Sequence, residues 1–366
     1  MWVCPLNRNK DKYEGYIKMK STDRHLISST LKVREALTKL DKLASEAILF
    51  VVDKDKKLLA SLTDGDIRRG LIKGLGLESP IMNFVQPNPK LFKQNEFNLS
   101  VMQEWREQNY KLIPVVNENH QVVDIVNFRH QKSHLPIDGV IMAGGKGTRL
   151  RPLTLGTPKP LLKIGGKPII EYNIDRLKDF GVRNITITIE YLGEQIVNYF
   201  GDGNKKDLKI TYINERKPLG TIGSVALIEK FSHDFVLIMN ADLLTNIDYE
   251  DMFSELLTQK GDMIVATTPY EVQIPYGVIE TDGKQIVTLK EKPTYTYYSN
   301  AGIYILKKAV VDYIPENMHF NATDLMETLY TKGKRVVHYP IVDYWLDIGK
   351  PHDFEKAKQD IEHIRF

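Results

Sequence analysis

Apolar positions follow two different rhythms along the chain. From Ile27 to about Lys132 the pattern repeats at an offset of 64 residues without a gap. Val33 and Leu37 align with Phe97 and Val101 on an amphipathic helix. Ile48, Val51 and Val52 align with Leu112, Val115 and Val116 on a strand, and Leu58, Leu59 and Leu62 with Val122, Val123 and Val126 on the next. Each copy is too small to bury a core of its own, so the pattern predicts a pseudo-symmetric pair. The polar stretch Gln131–Pro136 ends this region. Beyond it, continuous apolar runs alternate with a helical period. Ile137–Ala143 reads as a buried strand. Pro168–Phe180 reads as a helix with Pro168 at its start, Ile170, Ile174 and Leu177 on one face, and Gly181 at its end. Asn184–Glu190, Leu208–Asn214, Phe235–Met239 and Met263–Thr268, rich in Ile, Val and Thr, read as further strands. The alternation predicts an α/β sandwich around a mostly parallel sheet. The expected division is a loose extension at 1–24, a repeat domain at 25–132 with copies at about 27–73 and 91–132, a linker at 133–137, and a second domain at 138–366.

Composition narrows the classes. A chain of 366 residues exceeds one compact core and fits two domains. Net charge is 50 − 47 = +3, too small and evenly spread for a nucleic-acid surface. Cys4 is the only cysteine, so disulfides within the chain and cysteine-based metal sites are excluded, as expected of a reducing compartment. No apolar run approaches a membrane span and the first residues lack a signal-peptide core. The expectation is a cytoplasmic protein that engages neither membrane nor nucleic acid.

In parallel sheets ligands sit beyond the carboxyl ends of the strands, and the chemistry clusters there. Val140–Thr154 reads VIMAGGKGTRLRPLT. Gly144, Gly145, Gly147 and Thr148 offer consecutive backbone N–H groups that can form an anion nest, and Arg149, Arg151 and Lys159 add three cations. Such a loop suits the polyphosphate of a nucleoside triphosphate. It is not a dinucleotide GxGxxG, since Leu150 stands where the third glycine belongs. Nor is it a P-loop, since Gly145-Lys146-Gly147 lacks the Ser or Thr that would follow the lysine. Asn240-Ala241-Asp242 follows another strand, and Leu219–Ser224 follows a third and is expected to open a helix.

These segments, with Pro158-Lys159-Pro160, Glu291-Lys292-Pro293, Asn300-Ala301-Gly302 and Trp345–Gly349, occur in the order seen in sugar-1-phosphate nucleotidyltransferases, which the chain resembles from about Ile137 onward. The resemblance implies a Rossmann-like (GT-A-like) α/β/α nucleotidyltransferase fold. It implies attack of a sugar-1-phosphate oxygen on the α-phosphorus of a nucleoside triphosphate, with pyrophosphate leaving. On the matched positions, Arg149 would hold the pyrophosphate, Lys159 the reacting phosphates and Lys292 the phosphate of the sugar phosphate. Asp242 and Asp347 would hold Mg²⁺, while Gly220, Tyr276, Gly277, Glu291 and Asn300 would contact the sugar. Each aspartate could instead serve as a cap, Asp347 for a helix begun by Pro351, and Glu291 could be a surface charge on a hairpin turning at Thr281–Lys284.

Leu59–Arg69, LASLTDGDIRR, resembles the end of a CBS domain, so the repeat resembles an α+β tandem CBS pair. In such pairs Thr63 and Asp66 would hold the ribose of an adenine or guanine nucleotide. They could equally cap the following helix, and Asn127 and His130 at the equivalent places break the pattern in the second copy. CBS pairs associate through their faces, which implies a homo-oligomer. The fused pair makes the whole resemble the guanylyltransferases of bacterial nonulosonate (legionaminic acid) pathways, which use GTP and glucosamine 1-phosphate. Glu215 fits that base, because a carboxylate can accept both the N1–H and the 2-amino group of guanine. A mannose- or heptose-1-phosphate guanylyltransferase is the alternative within enzymes; an inactive nucleotide sensor is the alternative outside them.

Overall fold

The computed structural model describes residues 21–94 and 98–364. The chain divides into two compact units between Arg129 and His130. Most of the extension expected at 1–24, and Phe97 of the repeat, lie outside the described residues. Ser21–His25 is a 3-10 turn within the first unit, where Arg24 donates to Glu46 at 2.6 Å.

In the first unit the 64-residue offset appears in the backbone itself. Ile48–Val52 pairs antiparallel with Leu58–Thr63, and Leu112–Val116 with Val122–Asn127. Each ladder slips at one matching place, between Val51 and Val52 and between Val115 and Val116. The turns also match, with Lys56 and His120 both at positive φ. The hairpins meet reciprocally: Leu58 N–H donates to His120 C=O and Val122 N–H to Lys56 C=O, both at 3.0 Å. Phe50, Val52, Leu58, Val116 and Val122 share one buried cluster across that meeting, so each copy covers the apolar face of the other. The copies differ at their ends. The first continues into helix Asp64–Ile72, whereas Asn127 turns back to accept from Arg129 N–H at 3.0 Å and no helix follows.

The second unit carries a seven-stranded sheet. Its order is Lys209–Asn214, Asn184–Ile189, Ile137–Ala143, Phe235–Asn240, Thr294–Lys307, Met263–Gln273, Val336–Pro340. The first four are mutually parallel and Thr294–Lys307 alone runs antiparallel to both neighbours. Helix Ile169–Asp179 forms where the periodicity placed it, with Pro168 as N-cap, and buries Ile170, Ile174 and Leu177. Gly139 lets it approach: a Cβ there would stand 3.2 Å from Val182 and 3.4 Å from Leu177. Helix Ala322–Thr331 buries Leu325 and Leu329 in a cluster with Val140, Ile238 and Tyr304.

The expected linker is not a free tether. Lys132 N–H donates to Asp179 C=O and Leu135 N–H to Phe180 C=O, capping the end of helix Ile169–Asp179, and Ser133 and Leu135 are buried. Unsatisfied carbonyls at a helix end recruit whichever backbone passes, and here that is the segment after Gln131. The expected helix at Leu219–Ser224 is likewise corrected: Gly223–Leu227 is a five-residue 3-10 turn, shaped by pairing of Ile222 N–H and Gly223 N–H with Phe320 C=O. Among the described residues no helix is long and apolar enough to cross a membrane.

Candidate active site

Four adjacent parallel strands end at Asn214, Ile189, Ala143 and Asn240, and the residues that follow, Glu215, Glu190, Gly144 and Ala241-Asp242, line one cavity of about 460 Å³. Because all four carboxyl ends lie on one edge, residues spread over a hundred positions meet there. Gly144, Gly145, Lys146, Lys159, Leu219, Gly220 and His319 complete the wall.

The glycine loop is braced from behind. Gly147 takes a left-handed φ of 58°, and a Cβ there would stand 3.0 Å from the Lys159 side chain. Thr154, fully buried, donates to Gly147 C=O at 2.9 Å, and Tyr191 Oη donates to the Thr154 and Leu155 carbonyls at 3.1 Å. Gly144 makes room for Glu215, since a Cβ there would stand 2.9 Å from Oε1. Glu215 is 8% exposed and accepts only a long 3.4 Å bond from Leu219 N–H. That places a buried carboxylate on the cavity wall rather than a solvated charge on a loop. Gly220, at φ 80°, passes so close to Phe320 C=O that a Cβ would stand 2.6 Å from it.

Asp242 and Asp347, 105 positions apart, are brought together by a short ladder. Leu243–Thr245 pairs antiparallel with Trp345–Asp347, with Leu243 opposite Asp347, and Ile348 N–H donates to Asp242 C=O at 3.1 Å. Lys159, 8% exposed, bonds Asp242 Oδ2 and lies 4.0 Å from Asp347 Oδ1. Arg149 comes to the same corner, with a guanidinium nitrogen 3.6 Å from where a Gly349 Cβ would stand. Oδ1 of each aspartate is buried with no hydrogen-bond partner. Burial first, and then the Asp242 charge, push the Asp347 carboxyl up from its ordinary range. Two crowded carboxylates, each with an unused oxygen, fit a hard divalent cation that takes the rest of its shell from phosphate and water. Neither aspartate is a helix cap: Lys350 is the N-cap of helix Pro351–Asp360, and its N–H is taken by Asp353.

The residues expected on the sugar side are only partly joined to this corner. Asn300 accepts from Gly302 N–H at 2.9 Å and donates to Tyr304 Oη at 2.8 Å. Gly302, at φ 72°, rides against Asn240, and Trp345 Nε1 donates to Ala301 C=O at 3.0 Å, so this segment is packed between both aspartate strands. Gly277 and Glu291 are neighbours, the carboxylate 3.1 Å from a Gly277 Cβ position. Tyr276, Glu291 and Lys292 are exposed on the hairpin Val278–Lys290 and its flanks, and none lines the cavity. Lys292 holds a left-handed φ of 43°.

Thr63 and Asp66 are spent on the start of a helix. Thr63 N-caps Asp64–Ile72, and the Asp66 carboxylate accepts from Thr63 N–H (2.9 Å), Thr63 Oγ1 (2.5 Å), Gln86 (2.8 Å) and Arg69 (2.5 Å). The capping alternative describes this geometry, and a ribose would have to compete with it.

Glu190, Lys146 and His319 also line the cavity, and no sequence expectation includes them. Glu190 stands 4.0 Å from Lys146, and the rule that drew attention to Asp242, the residue past a parallel strand, would have found it. His319 arrives on an irregular loop and carries no sequence signal.

Residues 138–364 match the family model described as nucleotidyl transferase. The chain is similar to a mannose-1-phosphate guanylyltransferase of Mycobacterium tuberculosis, 30% identical over 62% of this chain and 64% of that protein. It is similar to a UTP–glucose-1-phosphate uridylyltransferase of Synechocystis, 33% identical over 60% of this chain and 61% of that protein. A D-glycero-alpha-D-manno-heptose 1-phosphate guanylyltransferase of Aneurinibacillus thermoaerophilus is 30% identical over 62% of this chain and 99% of its own length. Against the first two, then, the chain spans less than two thirds of the relative. A solved structure from Bacillus anthracis that bears the name glucose-1-phosphate thymidylyltransferase superposes with a TM-score of 0.52 at 26% identity, over 63% of this chain and 97% of that one.

Proposed function

The chain belongs to the nucleotidyl transferase family, and on that premise we infer that it joins a nucleoside triphosphate to a sugar 1-phosphate, releasing pyrophosphate. The observation that carries this reading is the meeting of Arg149, Lys159, Asp242 and Asp347 beside the glycine loop at one sheet edge. An oxygen of the sugar phosphate attacks the α-phosphorus while the bond to the leaving pyrophosphate breaks. Both reactants are anions, so positioning and neutralisation carry the rate rather than a covalent nucleophile. Gly144–Thr148 would cradle the triphosphate with backbone N–H groups, Arg149 would neutralise the departing pyrophosphate, and Lys159 would turn from Asp242 toward the reacting phosphates. Lys292 would hold the incoming phosphate, with Gly220, Tyr276, Gly277, Glu291 and Asn300 around the sugar. Asp242 and Asp347 would hold a divalent cation, Mg²⁺ on the resemblance, which supplies Lewis-acid neutralisation of phosphate charge when bound.

The base proposed is guanine. Glu215 presents a buried, weakly engaged carboxylate on the cavity wall, suited to two adjacent donors, whereas uracil and thymine offer one donor between two carbonyls. Glucosamine 1-phosphate is the proposed acceptor on the resemblance, and the mannose and heptose phosphates named by the relatives are its competitors. A matrix of nucleoside triphosphates against these sugar phosphates with Mg²⁺, scored by pyrophosphate release and product mass, fixes both. Absence of release with every pair would leave the inactive-sensor alternative. The first unit is proposed to be a tandem CBS pair, supported by its 64-residue internal repeat; calorimetry with adenine and guanine nucleotides tests whether it binds one. A cytoplasmic setting is proposed from the reactants, which are cytosolic metabolites by class.

A further inference from the structure

The carboxyl end of strand Lys209–Asn214 serves two cavities. Glu215, Pro218 and Gly220 line the one already described. Asn214, Arg216 and Lys217, with Leu227 and Asn317, line a second of about 570 Å³, and Leu219 belongs to both walls. Asn214, Glu215 and Arg216 leave the strand end on alternate sides, as extended backbone requires, so the buried carboxylate serves one cavity and its neighbours the other. Asn214, Arg216, Lys217 and Asn317 are exposed. Among the described residues, no ion pair, hydrogen bond or ring contact engages the charged heads of Arg216 and Lys217, or the side-chain amides of Asn214 and Asn317.

We propose that this second cavity binds a small phosphate monoester, and that its occupant tunes the nucleotide cavity through the wall they share. The volume lies within the range of small-molecule sites, about 300–1,000 Å³. Two unpaired cations answer a phosphate dianion with charge-assisted hydrogen bonds. Two amides offer donors and acceptors to the hydroxyls of the body it carries, over an apolar floor of Leu219 and Leu227, and no carboxylate lines the cavity to oppose the charge. The walls are joined at a second place. Asn317 lines one cavity and His319 the other. The segment that follows is fastened across the wall by Phe320 N–H to Leu219 C=O at 2.9 Å and by Thr221 N–H to Asn321 Oδ1 at 3.2 Å. A phosphate that fixes Arg216 and Lys217 therefore fixes the loop that carries Glu215, and an incoming nucleotide finds part of its ordering cost already met. That coupling rests on the proposed function, whereas the binding does not.

Calorimetry of the full chain without metal tests the binding. Inorganic phosphate, glucose 6-phosphate and uridine monophosphate are the probes, so that free phosphate, a phosphosugar and a nucleotide are told apart as the source. Uridine avoids both the guanine reading of Glu215 and the adenine or guanine site proposed for the repeat. At least one probe is expected to bind, and Arg216→Gln with Lys217→Gln to weaken it by more than about 10-fold, the loss of one charge-assisted contact. Both side chains are exposed and unpartnered, so the double variant should keep the wild-type Tm and, without probe, the wild-type kcat and KM for GTP. Binding of no probe, or equal binding by wild type and variant, overturns the proposal. A variant whose KM for GTP rises without probe overturns it too, by placing both cations in the nucleotide cavity. In the wild type the bound probe should lower the KM for GTP several-fold at unchanged kcat, and an unmoved KM overturns the coupling. A chain that releases no pyrophosphate with any pair of substrates would sink the proposed reaction and this coupling together, while the calorimetry still decides the site.

Discussion

Asp138 and Asp242 lie at opposite ends of neighbouring parallel strands, and their surroundings differ in one respect. Asp138, at the amino edge of Ile137–Ala143, is closed: it accepts from Ser232 N–H (2.6 Å), His233 N–H (2.9 Å) and Asn184 (3.1 Å), and its Oδ1 sits 2.9 Å from His233 Nδ1. Asp242, beyond the carboxyl edge of Phe235–Asn240, has one oxygen on Lys159 and one buried with no hydrogen-bond partner, and in Asp347 beside it the oxygen nearest Lys159, 4.0 Å away, is itself buried with no hydrogen-bond partner. A buried carboxylate with every lone pair answered stabilises a fold. One left unanswered next to another is tolerated where it acts on something else. The same sheet therefore separates stability from chemistry along its strands.

The comparison breaks most visibly at the open edge. Asp242→Asn or Asp347→Asn is expected to lower kcat by more than about 100-fold, since each removes charge aimed at the reacting phosphates, while Tm holds or rises because crowding is relieved. A variant with near wild-type kcat at saturating Mg²⁺ would show that its aspartate holds no cation.

Glu215 stands between the two cases, buried yet bonded only at 3.4 Å. Glu215→Gln should narrow the preference for GTP over UTP by about 1–3 kcal/mol, the range for losing a two-point base contact. An unchanged ratio of kcat/KM for the two would remove Glu215 from base reading.

At the closed edge the expected signs reverse. Asp138→Asn should cost about 1–2 kcal/mol of stability by removing the charge its buried donors share and setting an NH2 group against the Asn184 amide donor, read as a lower denaturation midpoint, with kcat/KM per folded molecule unchanged. A drop in activity without a drop in stability would erase the distinction between the edges.

The smallest effect is in acid. Burial alone would raise the Asp138 carboxyl, but the His233 ring and backbone, with Asn184, outweigh it and hold the group below its ordinary range. A depressed folded pKa means the contribution is fully present above the unfolded value, about 3.9, and fades as pH falls from there through the folded value. Wild type should therefore lose stability below about pH 4 more steeply than Asp138→Asn. Parallel stability curves for the two would count against it.

What the sequence made legible follows from how local each cause is. The parallel strands announce themselves as Ile- and Val-rich runs because both faces are buried, and helix Ile169–Asp179 because Ile170, Ile174 and Leu177 recur at its period. The 64-residue repeat was visible for the same reason. Long-range partnerships were not legible in the residues themselves, and Asp242 with Asp347 came together only through the family resemblance. Leu243–Thr245 and Trp345–Asp347 are three residues each, too short for any period, and only their pairing explains why two aspartates face each other. Strand Met263–Gln273 runs five residues past the Thr268 end expected of it, because beyond that point it is held by its partner strand and not by a buried face. The turn at Gly223 is 3-10 because Phe320, about a hundred positions away, sets its geometry.

That three-residue ladder also sets an order in time. Asp242 and the cations Arg149, Lys159 and Lys292 all precede Trp345, so a polypeptide ending short of Asp347 carries the glycine loop with half of the carboxylate pair. On the proposed function the carboxylate pair is therefore completed only when Trp345–Asp347, near the end of the second unit, pairs with Leu243–Thr245 in its middle.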